Sequence, residues 1–382
     1  MSSFKNKIII FGGHVQALGI VRILGQMGCN ITVCDETPKN IARHSRYCNQ
    51  FLHVKNQEIL SFLFKESTIE RIGGAILFPT NDEHVEILSR NKRVLEQHYI
   101  VATDVWENIE KTFHKKRTYK LAKETGLPIA ETYFPENLTD LQSISGRISY
   151  PCILKPAVMF RFYNVFKKKV FVCNSPEELL ENYNRAATKI PSGDIIIQDI
   201  IPGGSQHQYS VGCLFDGKEM VCGFMARRLR QHPIDFGNAT TFAETVNIPE
   251  VMEYAKIILS SIKYKGVCEV EFKWDERDQK FKFLEINART WKWHSLAQKA
   301  DVPMLENYVK MLSGQKTIAN LSWKEASWGH YITDFPVLLK LFVKRRYHKP
   351  LSQPKMQAVF SWNDLKPGIR ELFYLPYLIK SR

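Results

Sequence analysis

The sequence has no apolar run approaching the roughly 20 residues that a membrane-spanning helix needs, which excludes a polytopic membrane protein. Cysteine is sparse, with eight in 382 residues at positions 29, 34, 48, 152, 173, 213, 222 and 268, and none forms a CxxC pair. A disulfide framework or zinc ribbon is thereby excluded, and the thiols read as reduced core residues. Met1-Ser-Ser-Phe-Lys5 and the short Ile8-Ile-Ile-Phe11 do not make a secretory signal, so the expected compartment is the cytoplasm. Internal repeats, low-complexity tracts, zinc fingers and aromatic RNP-type segments are missing, and nucleic acid is not an expected partner. No Ser- or Cys-based triad is visible either. What remains is the composition of a soluble globular protein with a net charge of +14, from 53 Lys and Arg against 39 Asp and Glu. Such a balance favours anionic partners, nucleotides among them.

The length accommodates two or three domains. Lys7–Phe11 reads as a strand that turns at Gly12-Gly13 into a helical pattern of Val15, Leu18, Val21, Ile23 and Leu24, ending at Gly25 or Gly28. Strands are expected at 30–34, 74–78 and 99–102 with helices between, the alternation of a parallel sheet. Residues 1–112 thus form a Rossmann-like α/β unit. Gly12, Gly13 and Gly19 do not make G-x-G-x-x-G, and His14, Val15 and Gln16 stand where backbone must approach a pyrophosphate, which argues against nicotinamide or flavin.

From 113 to 314 the order changes to α+β. A helix after Lys115 ends at Gly126-Leu-Pro128, strands are expected at 152–155, 169–173, 195–200, 209–215 and 220–226, and a helix at 250–263 follows. Residues 315–382 form a C-terminal extension with Trp323, Trp328, Trp362 and a basic amphipathic segment from Pro336 to Arg346. Two readings of that segment stand: a helix packed on the body, or a surface that meets a membrane or a lipid-linked substrate.

The chemistry concentrates in Val267-Cys-Glu-Val-Glu-Phe-Lys273 and Lys282-Phe-Leu-Glu-Ile-Asn-Ala-Arg289. Side chains alternate along a strand, so Glu269 and Glu271 share a face, as do Glu285 and Asn287. A hairpin centred on Asp278 sets Glu271 opposite Glu285 and Glu269 opposite Asn287. Clustered carboxylates repel one another, and a hard divalent cation relieves the conflict. An ordinary exposed hairpin with a wet acidic face is the alternative.

In order along the chain, Lys115 before Gly126-Leu-Pro128, Lys155 in Pro151-Cys-Ile-Leu-Lys-Pro156, Gln198-Asp-Ile-Ile-Pro-Gly203 and the acidic hairpin ending Asn287-Ala-Arg289 resemble the ATP-grasp superfamily over about residues 5–312. Ala226-Arg-Arg-Leu-Arg-Gln-His-Pro233 and Arg289-Thr-Trp-Lys-Trp293 look most like its uncharacterised carboxylate-amine ligase branch. The resemblance implies an ATP-grasp fold, with a Rossmann-like domain preceding a two-lobed ATP-binding module. It implies that Lys115 and Lys155 hold ATP phosphates, and that Gln198, Asp199, Ile200 and Ile201 line the adenine. Glu271, Glu285 and Asn287 would bind magnesium, with manganese as a substitute. Arg289 would stabilise the transferring phosphoryl group, and Arg228 and Arg230 would grip a substrate carboxylate.

The activity implied is carboxylate–amine ligation through an acylphosphate, releasing ADP and phosphate, on small-molecule substrates and with a homodimer as one assembly. A carbamoyl-phosphate-synthase-like or carboxylase activity is the alternative among enzymes, and a non-catalytic ATP-binding regulatory or assembly protein the alternative outside them. Three departures from the family pattern stand out. No glycine-rich loop follows Lys155, where Arg161 and Lys167–Lys169 form a basic lid or an exposed loop; Asp199 replaces the common glutamate; and Glu269 stands where D-alanine ligase types carry arginine.

Overall fold

Short apolar runs closed by glycine or an acid are the signature of strands covered on both faces. In the computed structural model of the chain, which describes residues 6–234, 237, 239–343 and 354–380, such runs build a five-stranded parallel sheet. Its strands are β1 (Lys7–Phe11), β2 (Asn30–Asp35), β3 (Gln50–His53), β4 (Ile76–Pro79) and β5 (Ile100–Val101), in the order 3-2-1-4-5. Ile8 and Ile10 pack into one apolar layer while Ile9 and Phe11 pack into the other. β3, which the pattern did not announce, is a half-buried edge strand with little apolar alternation. Strand order reverses between β1 and β4, so the Gly12-Gly13 and Thr80-Asn81 ends border a crevice.

The next sheet is small and antiparallel: β6 (Thr132–Tyr133), β7 (Cys152–Pro156), β8 (Phe171–Cys173) and β9 (Ile195–Asp199), in the order 6-9-7-8. Helices Leu138–Ile144 and Pro176–Ala187 close one face, packing Leu141 and Leu179 over Leu154, Phe171 and Ile197. The second helix starts by the rules, with Ser175 accepting from the Glu178 amide, Pro176 at its first turn and two glutamates complementing the dipole.

A third sheet holds β10 (Gln208–Asp216), β11 (Met220–His232), β12 (Ala239–Thr245), β13 (Lys265–Asp275), β14 (Lys280–Asn287), β15 (Ser327–Gly329) and β16 (Met356–Gln357). Its order is 14-13-10-11-12-15-16, antiparallel except for the last pair. Val211, Cys213, Phe215, Val270 and Phe272 bury one face with the helix Pro249–Ser261, and Leu214, Phe224 and Ala226 bury the other in a layer shared with β1 and β2. Gly212 is required where it stands, because a Cβ there would lie 2.2 Å from the Trp291 ring. β11 runs six residues beyond the expected end at Ala226 and carries Arg228 and Arg230 into the sheet. The extension also differs from expectation: it contributes β15 and β16 to this sheet as well as the helices Tyr331–Val343 and Lys366–Lys380. Lys344, Arg345 and Arg346 of the basic segment lie outside the described residues.

Candidate active site

Lys115 opens the helix Lys115–Glu124, whose first turn holds three basic residues and no acid, a run that opposes the helix dipole. Tyr119 lies one turn on and therefore on the same side. Its hydroxyl accepts from Lys155 Nζ at 2.7 Å and donates to the Leu284 carbonyl at 2.8 Å, joining the small sheet to the large one. β7 and β9 pair Ile153 with Gln198, which leaves Lys155 diagonal to Gln198 and within reach of it. Lys155 Nζ donates to Gln198 Oε1 at 2.6 Å, and Gln198 Nε2 donates in turn to Thr132 Oγ1 at 2.8 Å.

The acidic hairpin forms the facing wall. Glu271 stands opposite Glu285 and Glu269 opposite Asn287, the register expected. The turn alone would not produce it. Near the turn Asp275 pairs with Lys280 and Phe272 with Phe283, a register that would set Glu271 against Leu284. A bulge between the two registers inserts Leu284 as an extra residue and turns Glu285 to the Glu271 side. Phe283 and Ile286 accordingly enter the same apolar layer despite their odd spacing. Unbulged, Glu285 would be aimed into that layer.

Charges interlock across the cleft. Lys115 Nζ is paired with Glu285. Arg228 donates to Glu271 Oε2 at 3.3 Å, Gln208 Oε1 at 3.0 Å and Gln231 Oε1 at 3.3 Å. Asn287 Nδ2 donates to Glu269 Oε2 and Glu271 Oε1, both at 3.0 Å. Arg289 donates to Asp82 Oδ1 at 2.6 Å, a partner supplied by the first sheet's crevice.

Burial works against the Lys115 ammonium, but Glu285, with Tyr119 and Glu271 behind it, outweighs burial and raises its pKa. Glu285 is likewise opposed by burial yet held down to about 2 by Lys115, Lys169 and Lys155. For Lys155 burial prevails, reinforced by Lys115, and its pKa falls. Burial and the neighbouring Glu271 raise that of Glu269. The site therefore holds opposed fixed charges on partly buried side chains, an arrangement suited to electrostatic preorganisation.

Of the residues singled out in the sequence, Lys115 with Glu285, Lys155 with Gln198, and Arg228 with Glu271, Asn287 and Arg289 form three hydrogen-bonded groups whose charges act on one another. Arg230 belongs to none of these groups: its Nε and NH2 donate to Asp334 of the extension, at 2.8 and 2.7 Å. Asn287 presents its amide nitrogen, not its oxygen, to the acids. Asp199, Ile200 and Ile201 lie apart from the acids, at the passage from β9 to β10; the Ile201 carbonyl accepts from Lys273 at 2.7 Å, and one buried oxygen of Asp199 has no partner. The side chain of Arg161 lies outside the described residues, while Lys169 comes within electrostatic reach of Glu285 and Glu271. His294 is no base candidate: it is buried against Gly19, and burial lowers its pKa to about 3.

Sequence reasoning missed Tyr119 and Asp334. Tyr119 carried a usable signal, being four residues after Lys115 on a helix. Asp334, like the pairing of Asp82 with Arg289, is brought in by tertiary contacts alone.

Among the described residues no three His, Cys, Asp or Glu side chains converge into a ready-made metal cage. Two opposed carboxylates nevertheless suit magnesium, which commonly takes one or two from the protein and completes its shell with phosphate and water. The buried Glu269 Oε1 has no protein partner, which leaves one carboxylate oxygen with spare capacity beside the acids.

Comparison with known proteins agrees with this geometry. The family described as carbamoyl-phosphate synthase L chain, ATP binding domain, matches residues 217–319, from the end of β10 past the acidic hairpin. A D-aspartate ligase of Enterococcus faecium (strain Aus0004) is 24% identical over 244 residues, 61% of this chain; the match covers 57% of that relative's length. Among solved structures, the biotin carboxylase domain of the Hydrogenobacter thermophilus 2-oxoglutarate carboxylase, in complex with MgADP, ADP and bicarbonate, aligns with a TM-score of 0.66 at 16% identity, over 84% of this chain and 73% of that one. The N5-carboxyaminoimidazole synthetase of Staphylococcus aureus aligns with a TM-score of 0.66 at 15% identity, over 90% and 87%.

Proposed function

The chain is a member of the ATP-grasp superfamily with that superfamily's fold, and from this premise we propose that it is an ATP- and magnesium-dependent ligase joining a carboxylate to an amine. The observation that carries the reading is the facing pair Glu271 and Glu285, set by a bulge against two buried lysines on the other wall. This reading follows the activity of the D-aspartate ligase to which the chain is similar.

Lys115 and Lys155 would bind the β- and γ-phosphates as point charges, exchanging their present carboxylate and hydroxyl partners for phosphate oxygens. Gln198 to Ile201 would border the adenine. Glu271 and Glu285 would hold magnesium, or manganese in its place, which supplies charge neutralisation at the phosphates; a half-turn of the Asn287 amide would add its oxygen. A substrate carboxylate oxygen attacks the γ-phosphorus, the bond to the β-phosphate oxygen breaks, and ADP leaves. Arg289, oriented by Asp82, and Arg228 lie beside the acids, where they would stabilise the charge of the acylphosphate. The amine nitrogen then attacks the acyl carbon and phosphate departs. In this division of labour residues 1–112 line the substrate crevice, 113–314 hold the nucleotide and 315–382 brace β12 and Arg230.

The test is release of ADP and phosphate by purified protein given magnesium, pooled carboxylates and pooled amines, with Glu285→Gln alongside. Release that requires both pools and falls at least about 100-fold in the variant, as loss of a charge acting on the transition state would produce, supports ligation. Release driven by bicarbonate alone would replace this reading with the carboxylase one. ATP binding with no turnover on any pool would favour a binding protein instead.

A further inference from the structure

The two helices of the C-terminal extension are amphipathic in the inverted sense. In Tyr331–Val343 the polar Thr333 and Asp334 are buried, whereas Tyr331, Phe335, Leu339, Phe342 and Val343 are between 49% and 75% exposed. Their spacing of four, four, three and one places them along one stripe. In Lys366–Lys380 the buried charge is Glu371, and Ile369, Leu372, Phe373 and Tyr377 form the exposed stripe. Trp362, just before this helix, is 82% exposed. A water-facing surface of this kind marks an interaction site.

Charge says what covers it. Residues 331–382 contain ten Lys or Arg and three acids, so this stretch supplies +7 of the chain's +14. All three acids are buried and engaged inward: Asp334 by Arg230 and Thr241, Asp364 by Arg22 and Ser45, Glu371 by His330. No acid of the described extension after Tyr331 therefore faces outward, while Lys340, Lys366 and Arg370 stand exposed among the apolar side chains. Apolar stripes interleaved with cations match an anionic lipid interface, where the acyl boundary takes the rings and the headgroups take the cations. At 13 and 15 residues the helices are too short to cross a bilayer, which needs about 20, and no helix among the described residues qualifies.

We propose that Tyr331–Val343 and Lys366–Lys380 form a docking surface for anionic membranes. Asp334, on the buried face of the first of these helices, grips Arg230 of β11, so the docking surface is tied to the large sheet. The inference is independent of the reaction proposed above.

Vesicle flotation tests it, with the full-length protein mixed with phosphatidylcholine vesicles or with vesicles also containing phosphatidylglycerol. The expected result is flotation only with the anionic vesicles, weakening as salt rises. The triple variant Phe335→Ser, Leu339→Ser, Phe373→Ser should bind at least about tenfold less, since burial of one such side chain is worth about that much. Lys340→Glu, Lys366→Glu, Arg370→Glu should abolish the lipid preference. These side chains are exposed, and unchanged circular dichroism and thermal melting will verify that the variants fold. No flotation with anionic vesicles at low salt overturns the proposal. So does light scattering that shows a wild-type dimer broken by the serine substitutions without vesicle binding, which would make the stripe a self-association face.

Discussion

Glu285 concentrates the electrostatics of the site in one side chain. Its ordinary value of 4.5 is pulled down to about 2 in the folded protein by Lys115, Lys169 and Lys155 against the effect of burial. The unfolded chain therefore binds more protons between those values, so stability rises with pH there and is lost as pH falls from 4.5 toward 2. Glu285→Gln should flatten that part of the profile, read as the urea midpoint at stepped pH in wild type and variant. Above pH 5, where the wild-type carboxylate is charged in both states, the variant should be less stable, because Lys115 loses its partner. All of the residues in this balance were visible in the sequence except Lys169's part in it: the loop after Lys155 was legible only as basic, and its approach to the acids depends on how β8 leads back to the cleft.

At the scale of elements, the bulge in β14 decides which face the chemistry occupies. A shift of one residue moves every following side chain to the opposite face of a strand. Because the bulge holds one residue too many, deleting Leu284 should leave Glu285 opposite Glu271 and Asn287 opposite Glu269 in an unbroken ladder. The expected outcome is retained magnesium-dependent nucleotide protection in a thermal melt, whereas loss of that protection would show that the bulge itself positions the acids. Alternation in the sequence was enough to pair Glu271 with Glu285, but for an incomplete reason. The assumed centre at Asp278 stood in for a turn half a residue earlier plus one extra residue, and only the hydrogen-bonded ladder separates those two descriptions. β11 was legible up to Ala226, where apolar alternation stops; the arginines beyond belong to the same strand because β10 and β12 flank it.

At the scale of the whole molecule, the extension is tied to the body by buried charge. Arg230 and Asp334 are both under one-tenth exposed and make two parallel hydrogen bonds, with Thr241 Oγ1 donating to the same carboxylate at 2.7 Å. Breaking such a pair by removing one partner costs about 3–5 kcal/mol, because the remaining charge is left without compensation. Asp334→Ala should accordingly lose that much in urea denaturation and loosen the extension, visible as new protease cleavage after Gly329. Leaving Arg230 unpaired beside Arg228 should also disturb the acid cluster, whereas a substitution such as Lys355→Ala, at an exposed position, should do neither.

The sequence alone determined the parallel first sheet and the acidic hairpin, because each rests on local information: period, turn chemistry and residue type within one or two adjacent elements. It also determined the excess of positive charge in the extension. Tertiary structure decided the rest. Arg230, expected to grip a substrate carboxylate, acquired a buried partner in Asp334, 104 residues later. Arg289 acquired its orienting partner, Asp82, from a domain 207 residues away. Which face of each terminal helix looks outward was likewise settled by packing. Pairings over such distances are selected by the burial of whole layers against one another, and the free energy of those layers has no signature in any short window of residues.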